Sequence, residues 1–125
     1  MGMVFAVGVG GGLGALARYY IAGWVQPAGY LFNWGIFAVN ISGGFLMGLI
    51  VEASALRLNL PPDLRAFLTV GILGGYTTFS TFSLDSALLL QRGAYLQAAA
   101  YMIGSVVLSV LALFAGLWIV RLIYA

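Results

Sequence analysis

The feature that most constrains this chain is its division into four long apolar stretches, none of which carries a charged outer face. A run of about 20 apolar residues crosses the hydrocarbon core of a bilayer. Such runs fall at about residues 3–25, 31–53, 64–90 and 94–120, with short helix-breaking punctuation between them. The cluster Gln26-Pro27-Ala28-Gly29 ends the first, and Gln91-Arg92-Gly93 separates the third from the fourth. Between the second and third lies the longest loop, Ser54 to Asp63, whose Pro61-Pro62 pair cannot sit inside a spanning helix without freeing backbone groups in lipid. The predicted fold class is therefore an all-α integral membrane protein with four transmembrane helices forming a single domain over residues 1–125.

A soluble helical bundle is the competing reading, and composition decides against it. The chain is 63% hydrophobic and 6% charged, against roughly 45–50% and about 25% for soluble domains. It could not cover such a core with polar surface. Most of the charges, Arg57, Arg65, Arg92, Arg121, Glu52 and Asp63, lie at or between the span ends, which leaves Arg18 and Asp85 within them. The first stretch lacks a basic leading segment and exceeds the apolar core of a signal peptide, about 7–15 residues, so it reads as a retained helix.

The same composition narrows function. Cysteine and histidine are absent, which removes disulfides, thiolate nucleophiles, histidine-held metals and the usual general base. Enzymatic readings are correspondingly poor. The net charge of +2 comes from scattered arginines without lysine or a basic run, so nucleic acid is not an expected partner. Gly10-Gly11-Gly12-Leu13-Gly14 lacks the strand and distant acid of a dinucleotide fingerprint. Asn40-Ile41-Ser42 is a sequon within a span, where no glycan can be added.

Glycines four apart recur at Gly8 and Gly12, Gly10 and Gly14, Gly44 and Gly48, and Gly71 and Gly75. Small residues at this spacing let membrane helices approach closely where lipid gives no hydrophobic drive between them. The pattern predicts extensive helix packing, oligomerisation included. Arginines are nearly balanced between the two sides of a four-span layout, so the positive-inside rule sets little orientation. Such a chain can insert both ways up, and opposite copies can pair.

The run Gly74-Gly75-Tyr76-Thr77-Thr78-Phe79-Ser80-Thr81-Phe82-Ser83 sits near the middle of the third span. Paired glycines and β-branched residues weaken a helix there, which predicts an interruption. Non-helical backbone at that depth must be buried in protein or line a polar cavity, where carbonyls can meet cations and amides can meet anions. The alternative is an intact helix whose Ser and Thr hydroxyls bond back to their own backbone.

Phe79 and Phe82 share a helical face after the run, beside the hydroxyls of Ser80, Thr81 and Ser83. Their positive ring edges suit a partly dehydrated anion, although aromatic pairs at this spacing are also ordinary packing. Tyr101, Ser105 and Ser109 make a polar stripe on the fourth span, and Asn40 adds an amide on the second. The first span has no carboxylate for a proton-coupled exporter of the small four-helix type. Asp85, beyond the interruption, fits a pathway wall better than a central proton carrier.

These residues carry a family resemblance. The Gly74 to Ser83 run, with Gly11-Gly12-Leu13-Gly14-Ala15 before Arg18-Tyr19 and Val39-Asn40-Ile41-Ser42-Gly43, closely resembles the Fluc (CrcB) fluoride channel family over essentially the whole chain. The resemblance implies an antiparallel, dual-topology homodimer in the cell (inner) membrane that conducts fluoride passively outward, with a structural sodium ion at the dimer interface. It places the sodium ligands at the Gly74 and Thr77 carbonyls. It places Phe79, Phe82 and Asn40 on the fluoride path, with Tyr101, Ser105, Ser109 and the acid at position 85 as a polar track. The family usually has glutamate there; this chain has Asp85, one methylene shorter. A dual-topology small-solute transporter and a purely structural membrane protein remain as the other readings of the residues.

Overall fold

The computed structural model describes residues 2–124, and the secondary structure among them is entirely helical. Helix α1 covers Gly2–Val25 and α2 covers Trp34–Leu56. The third span, Pro62–Gln91, is composite. It opens with α3 (Pro62–Ala66), widens into a π-helix (Phe67–Leu73), returns to one turn of α-helix, α4 (Gly74–Tyr76), and resumes after a gap as α5 (Phe79–Gln91). Helix α6 runs over Tyr95–Tyr124. All four spans are long and apolar enough to cross a membrane, which makes this a multi-pass membrane protein. The fourth is longer than expected and the second starts three residues later.

The helix ends follow local chemistry. Asn33 caps α2, its side chain accepting from the Ile36 N–H at 3.0 Å. Gln26 ties the α1–α2 turn together: its amide donates to the Phe32 carbonyl at 3.1 Å and accepts from the Gly35 N–H at 3.1 Å. Pro62 stands in the first turn of α3, where a missing N–H costs nothing. After α5, Gly93 takes a φ of +73°, and the Gly93 and Ala94 N–H groups close onto the Leu90 and Leu89 carbonyls. This is a Schellman ending, which favours glycine.

The interruption is narrower than the sequence predicts. Gly74, Gly75 and Tyr76 are helical, and only Thr77 and Thr78 are extended, with ψ of 156° and 127°. Gly75 serves close packing instead. A Cβ on Gly75 would collide with the Gly11 carbonyl, and one on Gly14 with that of Ile72. The π-helix ahead of the gap has no counterpart in the sequence reading. It lies where α1 comes closest, a Cβ on Gly10 reaching within 3.0 Å of Gly71 Cα.

The gap also changes the third span's partners. Before it, α3, the π-helix and α4 pack on α1; after it, α5 packs on α6. Helices α2 and α6 form the most extensive pair, with glycines 44 and 48 of α2 against the Ser109 and Leu113 carbonyls of α6. Three of the four predicted glycine pairs are thus spent inside one subunit. Gly8 and Gly12 face open space, with nothing within 4 Å of an added Cβ. The buried core is small, one cluster around Tyr101 and Phe32 and another around Val39, Leu73 and Tyr76.

Candidate functional site

Extended backbone in mid-span must find hydrogen-bond partners without water, and α2 supplies them. Asn40 Nδ2 donates to the Thr78 carbonyl at 3.1 Å, while the Thr78 N–H donates to Asn40 Oδ1 at 2.8 Å. The Thr77 N–H and its hydroxyl both donate to the Leu73 carbonyl at 3.0 Å. Thr78 Oγ1 then caps α5, accepting from the Thr81 N–H at 3.2 Å. On the other side, Arg18 Nε reaches the Gly75 carbonyl at 3.2 Å. Three carbonyls at the gap receive none of these bonds: among the described residues no hydrogen bond ends on the Gly74, Tyr76 or Thr77 oxygen.

Beside the gap, between α2 and α6, lies a cleft of about 400 Å³. Its walls carry Asn40, Gly74, Thr77, Phe79, Phe82, Ser105 and Ser109, together with apolar residues of α2 and α6. Seven of the residues singled out in the sequence therefore converge on one concavity. The Ser105 and Ser109 hydroxyls are buried there with no hydrogen-bond partner among the described residues. Buried hydroxyls are normally satisfied, and this pair lacks the partner such groups usually find. Asn40 keeps a second amide N–H beyond the one spent on Thr78.

The two phenylalanines differ in setting. Their rings lie 5.5 Å apart at 43°. Phe82 is half-buried and stacks on Tyr101 at 5.5 Å and 27°, whereas Phe79 is 77% exposed. A large ring so uncovered on one subunit calls for lipid or a second chain against it.

The remaining predicted residues stand elsewhere. Tyr101 is completely buried and points its hydroxyl to Asp85 Oδ2 at 2.8 Å, so the stripe with Ser105 and Ser109 divides in two. The shorter Asp85 still reaches the tyrosine. Ser80 is exposed and bonded to Thr78 Oγ1 at 3.3 Å. Thr81 faces a separate cavity of about 520 Å³, lined also by Arg18 and Asn33.

Residues outside the sequence-derived set also belong to this framework. Thr78 supplies both the clamped peptide and the α5 cap, and the Ser42 hydroxyl meets Tyr76 at 2.9 Å. Arg18 had a signal, an ionisable residue inside a span. Asn33 had one as well, since an asparagine directly before an apolar run is a helix-start signature.

Could the gap hold a hard cation? Its unbonded ligand atoms are three neutral carbonyl oxygens, of Gly74, Tyr76 and Thr77, the ligand type such ions take. No cluster of three or more His, Cys, Asp or Glu occurs among the described residues. The ligand type fits, but three carbonyls complete only part of a coordination shell.

The chain resembles known proteins in sequence over nearly its whole length. Residues 5–117 match the family model described as CrcB-like protein, Camphor Resistance (CrcB). The chain is 54% identical over 121 residues to the fluoride-specific ion channel FluC 1 of Nitrobacter hamburgensis, covering 96% of both chains. It is 51% identical over 122 residues to the fluoride-specific ion channel FluC of Rhodospirillum centenum, covering 97% of both. With the FluC of Phenylobacterium zucineum it shares 47% identity over the full length of each. On these matches the chain belongs to the CrcB family.

Proposed function

We propose that this chain forms a fluoride-selective channel through which fluoride leaves the cytoplasm down its electrochemical gradient. The observation that carries this reading is the convergence of Phe79, Phe82, Asn40, Ser105 and Ser109 on one cleft with two unsatisfied hydroxyls. Bringing a bare anion into low dielectric costs tens of kcal/mol. Hydroxyl donors, an amide N–H and ring edges together offset that cost, and a narrow path rich in such donors favours the small, strongly hydrogen-bonding halide.

The working unit is an antiparallel homodimer of dual topology. Phe79 lies uncovered on a single subunit, and Gly74 is exposed beside it. The Gly74 and Thr77 carbonyls of two copies together make a four-oxygen site for a structural sodium ion at the interface. When bound, that cation supplies fixed positive charge beside the anion path. The weak charge asymmetry of the loops permits both insertions.

The test is fluoride efflux from liposomes carrying the purified protein, read with a fluoride electrode. Fast loss that needs neither a proton gradient nor a counter-substrate is expected, with chloride retained. Loss only in exchange for another solute would overturn the channel in favour of a transporter.

A further inference from the structure

Asn33 lies outside the cleft, yet both ends of its side chain are committed. Oδ1 caps α2 through the Ile36 N–H, and Nδ2 donates to Asp85 Oδ2 at 2.9 Å. The same carboxylate oxygen accepts from the Tyr101 hydroxyl at 2.8 Å. Capping needs only an oxygen, which serine or aspartate would supply equally well. What asparagine adds is the amide donor, and it is aimed at an acid within the bundle.

Among the described residues that acid has no salt-bridge partner. Among the described residues the ion pair is Arg121 with Glu52 at 3.2 Å, far along the chain from Asp85. Neutral donors alone hold the Asp85 carboxylate, and two of them converge on one oxygen. Bonds to a charged acceptor are the strong kind, and their convergence restricts rotation of the carboxylate. Tyr101 is thereby tethered at its far end, and its ring is the surface on which Phe82 stacks.

We propose that Asn33 is a positioning residue for the anion path: its amide holds Asp85 in the orientation that takes the Tyr101 hydroxyl, and so fixes the wall behind Phe82. This rests on the reading of the Phe82 cleft as that path. The chain of contacts runs from the α2 cap through α5 to α6, so the start of one span sets the alignment of a ring on another.

The experiment separates the cap from the donor. Asn33→Ser and Asn33→Asp both keep a capping oxygen; serine removes the donor and aspartate places a like charge against Asp85. Protein labelled with carbon-13 at tyrosine Cζ is prepared in micelles, and the Tyr101 resonance is identified by its loss in Tyr101→Phe. Asn33→Ser is expected to move that resonance in the direction that Asp85→Asn does, and Asn33→Asp further. Fluoride efflux is expected to fall about tenfold in Asn33→Ser, and by less than about twofold more when Asn33→Ser is added to Asp85→Asn. An unmoved Tyr101 resonance in both Asn33 variants overturns the proposal, as do independent, multiplicative losses of flux. A wild-type chain that loses no fluoride overturns the channel reading and the pathway role with it, while the resonance still decides whether Asn33 holds Tyr101.

Discussion

Asn40 grips the Thr78 peptide from both sides, donating to its carbonyl at 3.1 Å and accepting from its N–H at 2.8 Å. The amide of one span thus replaces two of the backbone bonds that the next span gives up. Without it the extended pair Thr77–Thr78 would leave polar groups unsatisfied inside the membrane.

Replacing Asn40 therefore strikes the fold and the path together. Asn40→Ala strands a donor and an acceptor, a loss of about 2–5 kcal/mol. Asn40→Asp keeps the acceptor but sets a carboxylate against the Thr78 carbonyl, and is expected to be no better. Both should lower the thermal transition of the purified protein and abolish fluoride efflux. An Asn40→Ala protein with unchanged melting would show that the clamp contributes little.

The two phenylalanines should separate by their burial. Phe82→Ala removes the ring stacked on Tyr101 and is expected to destabilise a subunit by about 2–3 kcal/mol. Phe79→Ala, at a site 77% exposed, should leave subunit melting within about 0.5 kcal/mol. Both should reduce fluoride efflux at least tenfold, roughly the effect of 1.4 kcal/mol on a barrier. Efflux at the wild-type rate in both variants would leave the cleft without a role in conduction.

Ser105 and Ser109 provide a test in which stability and function move apart. Their hydroxyls lack partners, so Ser105→Ala and Ser109→Ala remove buried polar groups without breaking a bond within the subunit. Melting should stay level or rise slightly. Fluoride efflux should fall, by about tenfold for the pair if each hydroxyl donates to the passing anion. Simultaneous loss of melting temperature and flux would instead assign them to packing.

Glycine substitutions probe where the spans touch. Gly14→Val forces a side chain into the Ile72 carbonyl and the Tyr76 amide, and overpacking of that kind costs about 1–3 kcal/mol. A Cβ at Gly8 meets nothing within 4 Å in the subunit, so Gly8→Ala should melt no lower than the wild type does. Circular dichroism melts of the two variants check the contrast.

Cation removal tests the gap. With Gly74 and Thr77 carbonyls as shared sodium ligands, exchange of sodium for N-methylglucamine should weaken dimers, seen as a larger monomer fraction in cross-linking of micellar protein. Substitutions that leave the Thr77 carbonyl in place, such as Thr77→Ser, should preserve the sodium effect. A dimer fraction indifferent to sodium would remove the ion from the assembly.

The span layout was legible in the residues because it rests on a one-dimensional property, the length of apolar runs between prolines, glycines and charges. The same holds for the weak point in the third span, where Gly74 to Thr78 signal poor helix, and for the hydroxyls and rings around it. Tertiary structure decided how those signals are used. Gly75 stays helical with α1 packed against it, and the gap falls on Thr77 and Thr78 because Asn40 is placed to satisfy the Thr78 N–H and carbonyl. The polar stripe of α6 divides because Asp85 draws the Tyr101 hydroxyl away while Ser105 and Ser109 line the cleft. Periodicity tells which side chains share a helix face. Which partner each polar group finds depends on the approach of another span, and that distance is set by packing across the whole bundle.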